Sequence, residues 1–185
     1  MTAMMAVCML AAHDEAWFRN LYAETYRPLL AYARRRVDAA TADEVVADTF
    51  LTAWRRRDDV PDSSERPWLL GVARNMIRNA ARSSRRREAA QQRLRIAHAP
   101  DAAEGATFDS DNRVAMLRTA LGSLSETDRE VLMLVAWEQL SHAEIGQVLG
   151  ISANASAIRV HRARKRLAAR LEHLDHAGTD EGKTP

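Results

Sequence analysis

At 185 residues the chain has room for one ordinary domain or two small ones, and a net charge of +2 gives no global bias toward polyanionic partners. The basic residues cluster instead: of 27, 25 are Arg, gathered at positions 34–36, 55–57, 74–87 and 159–170, and clustered cations are the footprint of phosphate contact. The single cysteine, Cys8, excludes an internal disulfide and a Cys-rich zinc site and suits a reducing cytosol.

The chain begins "MTAMMAVCMLAAHDE". This stretch is apolar but lacks a basic n-region, and acids follow at once, so it does not read as a secretory signal. No stretch is long enough to span a bilayer, and a cytoplasmic location without membrane insertion is expected. Residues 1–12 are expected to be a disordered leader or the product of an early start codon. The pattern that follows is helical almost throughout, with no strand-like alternation. "EAWFRNLYAETYRPLLAYARRRV" puts Phe18, Leu21, Tyr22 and Tyr26 at helical spacing. "TADEVVADTFLTAWRRR" aligns Val46, Phe50 and Trp54, with Asp43, Glu44 and Asp48 early and Arg55 to Arg57 late, as the helix dipole favours.

"DDVPDSSERP" reads as a loop, with Pro67 as first residue of the next helix. That helix is expected to bury Leu69, Val72, Met76 and Ala80 and to line Arg74, Arg78 and Arg82 along another face, beside Asn75 and Asn79. From about residue 89 to 112 the apolar pattern fails, which predicts a linker. Helical patterning resumes at Arg113. Both "SETD" (Ser125 to Asp128) and "SHAE" (Ser141 to Glu144) fit a capping box. The expected architecture is all-α: two small helical domains, 13–88 and 113–174, a flexible linker over 89–112 and a frayed tail over 175–185.

"SHAEIGQVLGISANASAIRVHRARKRL" carries the sharpest local signal. Ser141 should cap a short helix with Ile145, Val148 and Leu149. Gly150 should end it in the left-handed conformation, and Ser152 should cap the next helix. There Ala155, Ile158 and Leu167 are expected inward, leaving Arg159, Arg162, Lys165, Arg166 and Arg170 outside. This is the logic of a helix-turn-helix, whose second helix lies in the DNA major groove. The same residues also fit a helical hairpin with a solvated basic face. No Gly-rich phosphate loop, zinc spacing or Ser/His/Asp constellation is present, so neither an enzyme nor a metal or cofactor is expected.

"DEVVADTFLTAWRR" with "RPWLLGVARNMIRNAARSSRRR" resembles region 2 of bacterial RNA polymerase sigma factors, and "LSETDREVLMLVAWEQLSHAEIGQVLGISANASAIRVHRARKRL" resembles their region 4. With these two regions and a short linker, residues 14–172 are similar to the extracytoplasmic-function (ECF) subgroup of the sigma-70 family. The resemblance implies an alternative sigma factor in two helical domains. Its partners would be core RNA polymerase (the clamp helices of the largest subunit and the flap of the second-largest), promoter DNA and an anti-sigma protein. Asp43, Glu44, Asp48 and Phe50 would form the polymerase-binding set. Ser63, Ser64 and Glu65 would edge a pocket for a flipped base of the −10 element. Trp68, Asn75, Arg78, Asn79 and Arg82 would complete the −10 surface. Ala157, Ile158, His161 and Arg162 would face bases of the −35 element, with Lys165 and Arg166 on phosphates. The sequence departs from the family pattern at Ala47, where Gln is usual, at Gly146 for Ala, at Ser156 for an apolar residue and at Ala157 for a basic one. The alternative is a stand-alone helix-turn-helix regulator, which would bind duplex operator unaided.

Overall fold

The structure, a computed structural model, describes the backbone of residues 2–94 and 112–180 and the side chains of residues 14–83 and 114–176. Among the described residues it is entirely helical: α1 (Thr2–Arg34), α2 (Ala39–Arg55), a 3₁₀ turn (Arg57–Asp59), α3 (Glu65–Leu94), α4 (Asn112–Gly122), α5 (Glu126–Ala136), α6 (His142–Leu149) and α7 (Ala153–Asp180). The chain divides into two compact units, one built on Met1–Gln92 and the other on Arg93–Gly146 and Ile151–Pro185.

Three helices outrun the expected limits. α1 takes in residues 2–12, α3 continues past 88 to Leu94, and α7 continues past 174 to Asp180. The linker was expected unstructured for want of an apolar face and the two ends because chain termini fray, but each segment extends a helix already nucleated and needs only propagation. In the extensions of α1 and α3, Ala, Met, Leu, Arg and Gln propagate it readily. The rest of the expected linker, 95–111, and the end of the tail, 181–185, lie outside the described residues.

In the N-terminal unit α1 packs on α2. The contact is aromatic. Phe18 meets Phe50 edge-on (6.1 Å, 84°) and Trp54 likewise (5.3 Å, 77°), while Tyr22 stacks on Tyr26 at 4.9 Å. Asp38 caps α2 by accepting the Thr41 backbone N–H at 3.0 Å and its hydroxyl at 2.7 Å. Those bonds, the backbone one first, hold the Asp38 carboxyl below its ordinary value. Their contribution is therefore present above the usual aspartate range and fades as pH falls through the lowered value. Pro67 stands third in α3 rather than first, a place it tolerates because the first turn's N–H groups have no intrahelical acceptor. The buried stripe of α3 is Leu69, Leu70 and Ala73. Val72, Met76 and Ala80, expected to be buried, are half-buried.

In the C-terminal unit α4 and α5 both pack on α7. Local hydrogen bonds close the end of α4 and the starts of α5, α6 and α7. Arg129 donates to the carbonyls of Leu121, Gly122 and Leu124 at 2.9, 2.8 and 3.3 Å, pairing acceptors left open where α4 ends. Ser141 and Glu144 form the full capping box, with bonds of 2.7 and 3.3 Å. Gly150 takes φ +67°, and the Ser152 hydroxyl accepts the Ala155 N–H at 3.1 Å.

The inward face of α7 differs from the expected one. Ser156, Val160 and Ala163 are buried, at i, i+4 and i+7. Ile158 is 45% exposed, and Ala155 and Leu167 are half-buried. Counting apolar residues favoured Ile158 over Ser156. Close approach of α7 to its neighbours favours the stripe of smaller side chains instead. Gly146 also has a structural reason. A Cβ there would lie 2.7 Å from the Ile151 carbonyl oxygen, so the turn admits no side chain without shifting backbone.

Candidate nucleic-acid interface

The outward face of α2 carries Asp43, Glu44, Ala47, Asp48 and Leu51, all exposed. Positions 44, 47, 48 and 51 follow the helical repeat, so these residues share one side. Asp43 is met by Arg34 at 3.4 Å. Phe50, expected to touch polymerase, is only 4% exposed and is a core residue among Phe18, Tyr22 and Tyr26. The adjacent Leu51, 43% exposed, is the apolar residue this face offers, and sequence reasoning missed it. An exposed Leu next to the buried Phe50 leaves no mark of its own in an apolar periodicity.

The loop after α2 is braced by its arginines. Arg57 pairs with Asp14 of α1 at 2.8 Å. Arg56 donates to Asp59 at 2.9 Å and lies 5.9 Å from the centre of the Trp68 ring. Ser63 is exposed, while Ser64, Glu65 and Trp68 are half-buried. The Ser64 N–H bonds the Pro61 carbonyl at 3.1 Å and the Ser64 carbonyl accepts the Trp68 N–H at 3.2 Å, which sets the loop directly onto the first turn of α3. Farther along α3, Asn75, Arg78, Asn79 and Arg82 are all exposed. Their spacing at i, i+3, i+4 and i+7 makes one polar strip of cations and amides.

On α7 the structure brings Ile158, His161, Arg162 and Lys165 together on exposed positions, with Ala157 half-buried beside them. A groove of about 480 Å³ runs between this helix and the start of α5, lined by Asp128, Ile158, Arg159, Arg162 and Arg166 among others. An apolar side chain flanked by guanidinium groups can meet a thymine methyl while its neighbours reach guanine or phosphate. Arg166, expected on a phosphate, donates from Nη1 to Asp128 Oδ2 at 2.6 Å. Asp128 was read as the acid of a capping box. Its backbone N–H does bond Ser125 Oγ at 3.1 Å, but its carboxylate turns toward α7. The partners lie 38 residues apart, and no local pattern marks such a pair. No described helix is long and apolar enough to cross a membrane.

The Sigma-70 region 2 family matches residues 21–87, and the Sigma-70 region 4 family matches residues 115–167. The chain is 33% identical over 177 residues to the ECF RNA polymerase sigma factor SigL of Mycobacterium tuberculosis, covering 92% of this chain and 98% of SigL. Among solved structures it is similar to the sigma factor RpoE of Bartonella quintana, in complex with the anti-sigma factor NepR (TM-score 0.60, 25% identity, 84% of this chain and 96% of that one). It is also similar to CnrH in complex with the cytosolic domain of CnrY (TM-score 0.59, 29% identity, 89% and 96%).

Proposed function

This chain belongs to the sigma-70 family of RNA polymerase sigma factors, in its extracytoplasmic-function group, and from that premise we propose how its two units divide the work. As an alternative sigma factor it directs transcription initiation, acting with core RNA polymerase on promoter DNA. The N-terminal unit docks on the clamp helices of the largest subunit through Asp43, Glu44 and Asp48, with Leu51 as the apolar contact in place of Phe50. Its loop, Ser63 to Glu65, takes an unstacked base of the −10 element, since a flipped base must be read on its hydrogen-bonding edge. Trp68, Asn75, Arg78, Asn79 and Arg82 hold the strand beside it, the amides both donating and accepting. The C-terminal unit reads the −35 duplex with Ala157, Ile158, His161 and Arg162, holds phosphate with Lys165 and meets the flap of the second-largest subunit.

The observation that carries this division is the exposure of Ile158 together with His161 and Arg162 on the second helix of the turn, so that an apolar and two polar side chains share one outward face. An anti-sigma partner is proposed as well, because RpoE is seen bound to the anti-sigma factor NepR and CnrH to the cytosolic domain of CnrY. The protein would work in the cytoplasm, where polymerase and chromosome are, and no catalytic step is assigned to it. Run-off transcription with core polymerase tests the reading. Transcripts should start a fixed distance downstream of two shared elements only when the chain is present. Tight duplex binding without core, and no core-dependent transcript, would instead mark a stand-alone regulator. Charge reversal at Glu44 and Asp48 should weaken core binding about 10-fold or more, as loss of a complementary charged patch does. Unchanged assembly would move the docking surface elsewhere.

A further inference from the structure

We propose that Asp128 and Arg166 form a clamp that sets the rotation of the reading helix α7, and that Arg166 is thereby withheld from the DNA backbone. The inference rests on α7 reading the −35 element and adds a positioning pair to it.

Asp128 is the third residue of α5, the place from which a capping-box acid turns back to the cap residue's N–H. Glu144 does this at the start of α6, accepting the Ser141 N–H at 2.7 Å. Aspartate is one methylene shorter, and its carboxylate points across to α7 instead. There Oδ2 accepts from Arg166 Nη1 at 2.6 Å, with the Asp128 side chain 7% exposed and that of Arg166 59% exposed. A carboxylate so deeply placed needs a counter-charge, and removing it leaves a buried charge uncompensated. A backbone phosphate competing for Arg166 must bear that loss. It must also approach a second anion. The pair is therefore the more stable arrangement for this guanidinium.

The position of the pair gives it a consequence for reading. Arg166 lies one turn beyond Arg162 on the same side of α7. The groove holding Ile158, Arg159 and Arg162 lies on one side of the pair, and a notch of about 800 Å³ with Arg170 and His173 lies on the other. A short, directional bond from α5 at this point fixes how far α7 can roll about its axis. The roll decides whether Ile158 and Arg162 meet base edges or the groove wall. The cationic stripe of α7 thus splits by role: Arg162 and Lys165 toward DNA, Arg166 toward the protein.

The test uses full-length variants assembled with core polymerase and measures promoter binding over a series of salt concentrations. Lys165→Ala is the reference for a phosphate contact and should lower the salt slope by about one unit. Arg166→Ala should leave the slope unchanged while weakening binding and relaxing base preference at the −35 positions. Asp128→Asn should raise the slope by about one unit, because it releases Arg166 to a phosphate. The double variant should return to the parental slope, which separates that release from simple loss of a negative charge. Arg166→Lys should restore base preference in part, since an ammonium can still reach the carboxylate. If Arg166→Ala lowers the slope as Lys165→Ala does, and Asp128→Asn leaves it alone, Arg166 is a phosphate contact and the proposal is wrong. If neither Lys165→Ala nor Arg162→Ala affects promoter binding, the −35 reading is what fails. The clamp is then judged by thermal unfolding of the same variants, where additive midpoint shifts for Asp128→Asn and Arg166→Ala would overturn it and non-additive shifts would support it.

Discussion

The outward face of α2 is backed by a cluster of aromatic rings around the buried Phe50, whereas the outward face of α7 is held by caps and an ion pair. Around the buried Phe50 of α2 lie half-buried Phe18, Tyr26 and Trp54 and the exposed Tyr22, with ring centres between 4.8 and 6.5 Å apart. Rings in such contact fix one another's orientation. The acids above them can change without disturbing the packing. The C-terminal unit has one aromatic residue between 112 and 176, Trp137, and it is exposed. Its core is aliphatic and small, built of residues such as Val131, Leu134, Ile145, Val160 and Ala163. Geometry there depends on Arg129, on the serine caps, on Gly146 and on Asp128 with Arg166. In the first unit function and stability sit on different side chains; in the second they share them.

The sharpest way to break that contrast is Phe50→Ala. It removes a ring in contact with three others and should cost the N-terminal unit about 3–5 kcal/mol, seen as loss of one unfolding transition while the other stays. If core binding fell but the transition did not move, Phe50 would be an interface residue after all.

Next in size is Arg162→Ala. Loss of a guanidinium that reaches a base should cost about 1–3 kcal/mol on the preferred −35 sequence and relax the choice at one or two base pairs. A panel of base-substituted promoters, bound by the reconstituted holoenzyme, measures it. Equal weakening across the panel would turn Arg162 into a backbone contact.

Gly146→Ala tests the shared character of the second unit through the sign of its effect. Helix propensity alone predicts a gain of about 1 kcal/mol for Gly to Ala. A Cβ 2.7 Å from the Ile151 carbonyl predicts an overpacking loss of about 1–3 kcal/mol. The clash involves backbone, which cannot swing aside, so a net loss of about 1 kcal/mol is expected. The turn before α7 would shift with it. Chemical unfolding of the variant checks the sign, and a net stabilisation would show that the turn yields.

Much of this was legible in the sequence because it is local. The caps at Ser125, Ser141 and Ser152 and the left-handed Gly150 follow from residue type and spacing over a few positions, and each is found where those rules put it. The all-helical class follows from periodicity. What periodicity could not decide was rotation about a helix axis. It counted Ile158 inward, while the family resemblance placed it outward, and 45% exposure sides with the latter. For Phe50 the roles reverse: periodicity set it on the apolar stripe with Val46 and Trp54, the resemblance set it on the polymerase face, and 4% exposure sides with periodicity. The Asp128–Arg166 pair was illegible for another reason: it joins residues 38 apart whose types each had a sufficient local explanation.

The smallest effect should come from Ser156→Ala, and it runs opposite to the others. Ser156 is fully buried on the inward face of α7, and its Oγ meets no hydrogen-bond partner among the described residues. A buried hydroxyl without a partner carries its full desolvation cost. Alanine removes that oxygen, keeps the Cβ that packs between the helices and has the higher helix propensity. Against this stands a small void where the oxygen was. The net result should be a gain of about 0.5–1 kcal/mol, or a rise of several degrees in the midpoint of the C-terminal unit, at the scale of about 4–8 °C per kcal/mol for a small domain. The N-terminal transition should not move. Because Ser156 lies on the face away from Ile158 and Arg162, base preference at the −35 element should also be unchanged. A lower midpoint would mean that the hydroxyl bonds a carbonyl of the preceding turn in solution, as serine in a helix often can. A raised midpoint with altered base preference would mean that α7 rolls when its buried face is repacked, so that the packing beneath the helix steers reading as well as the clamp beside it.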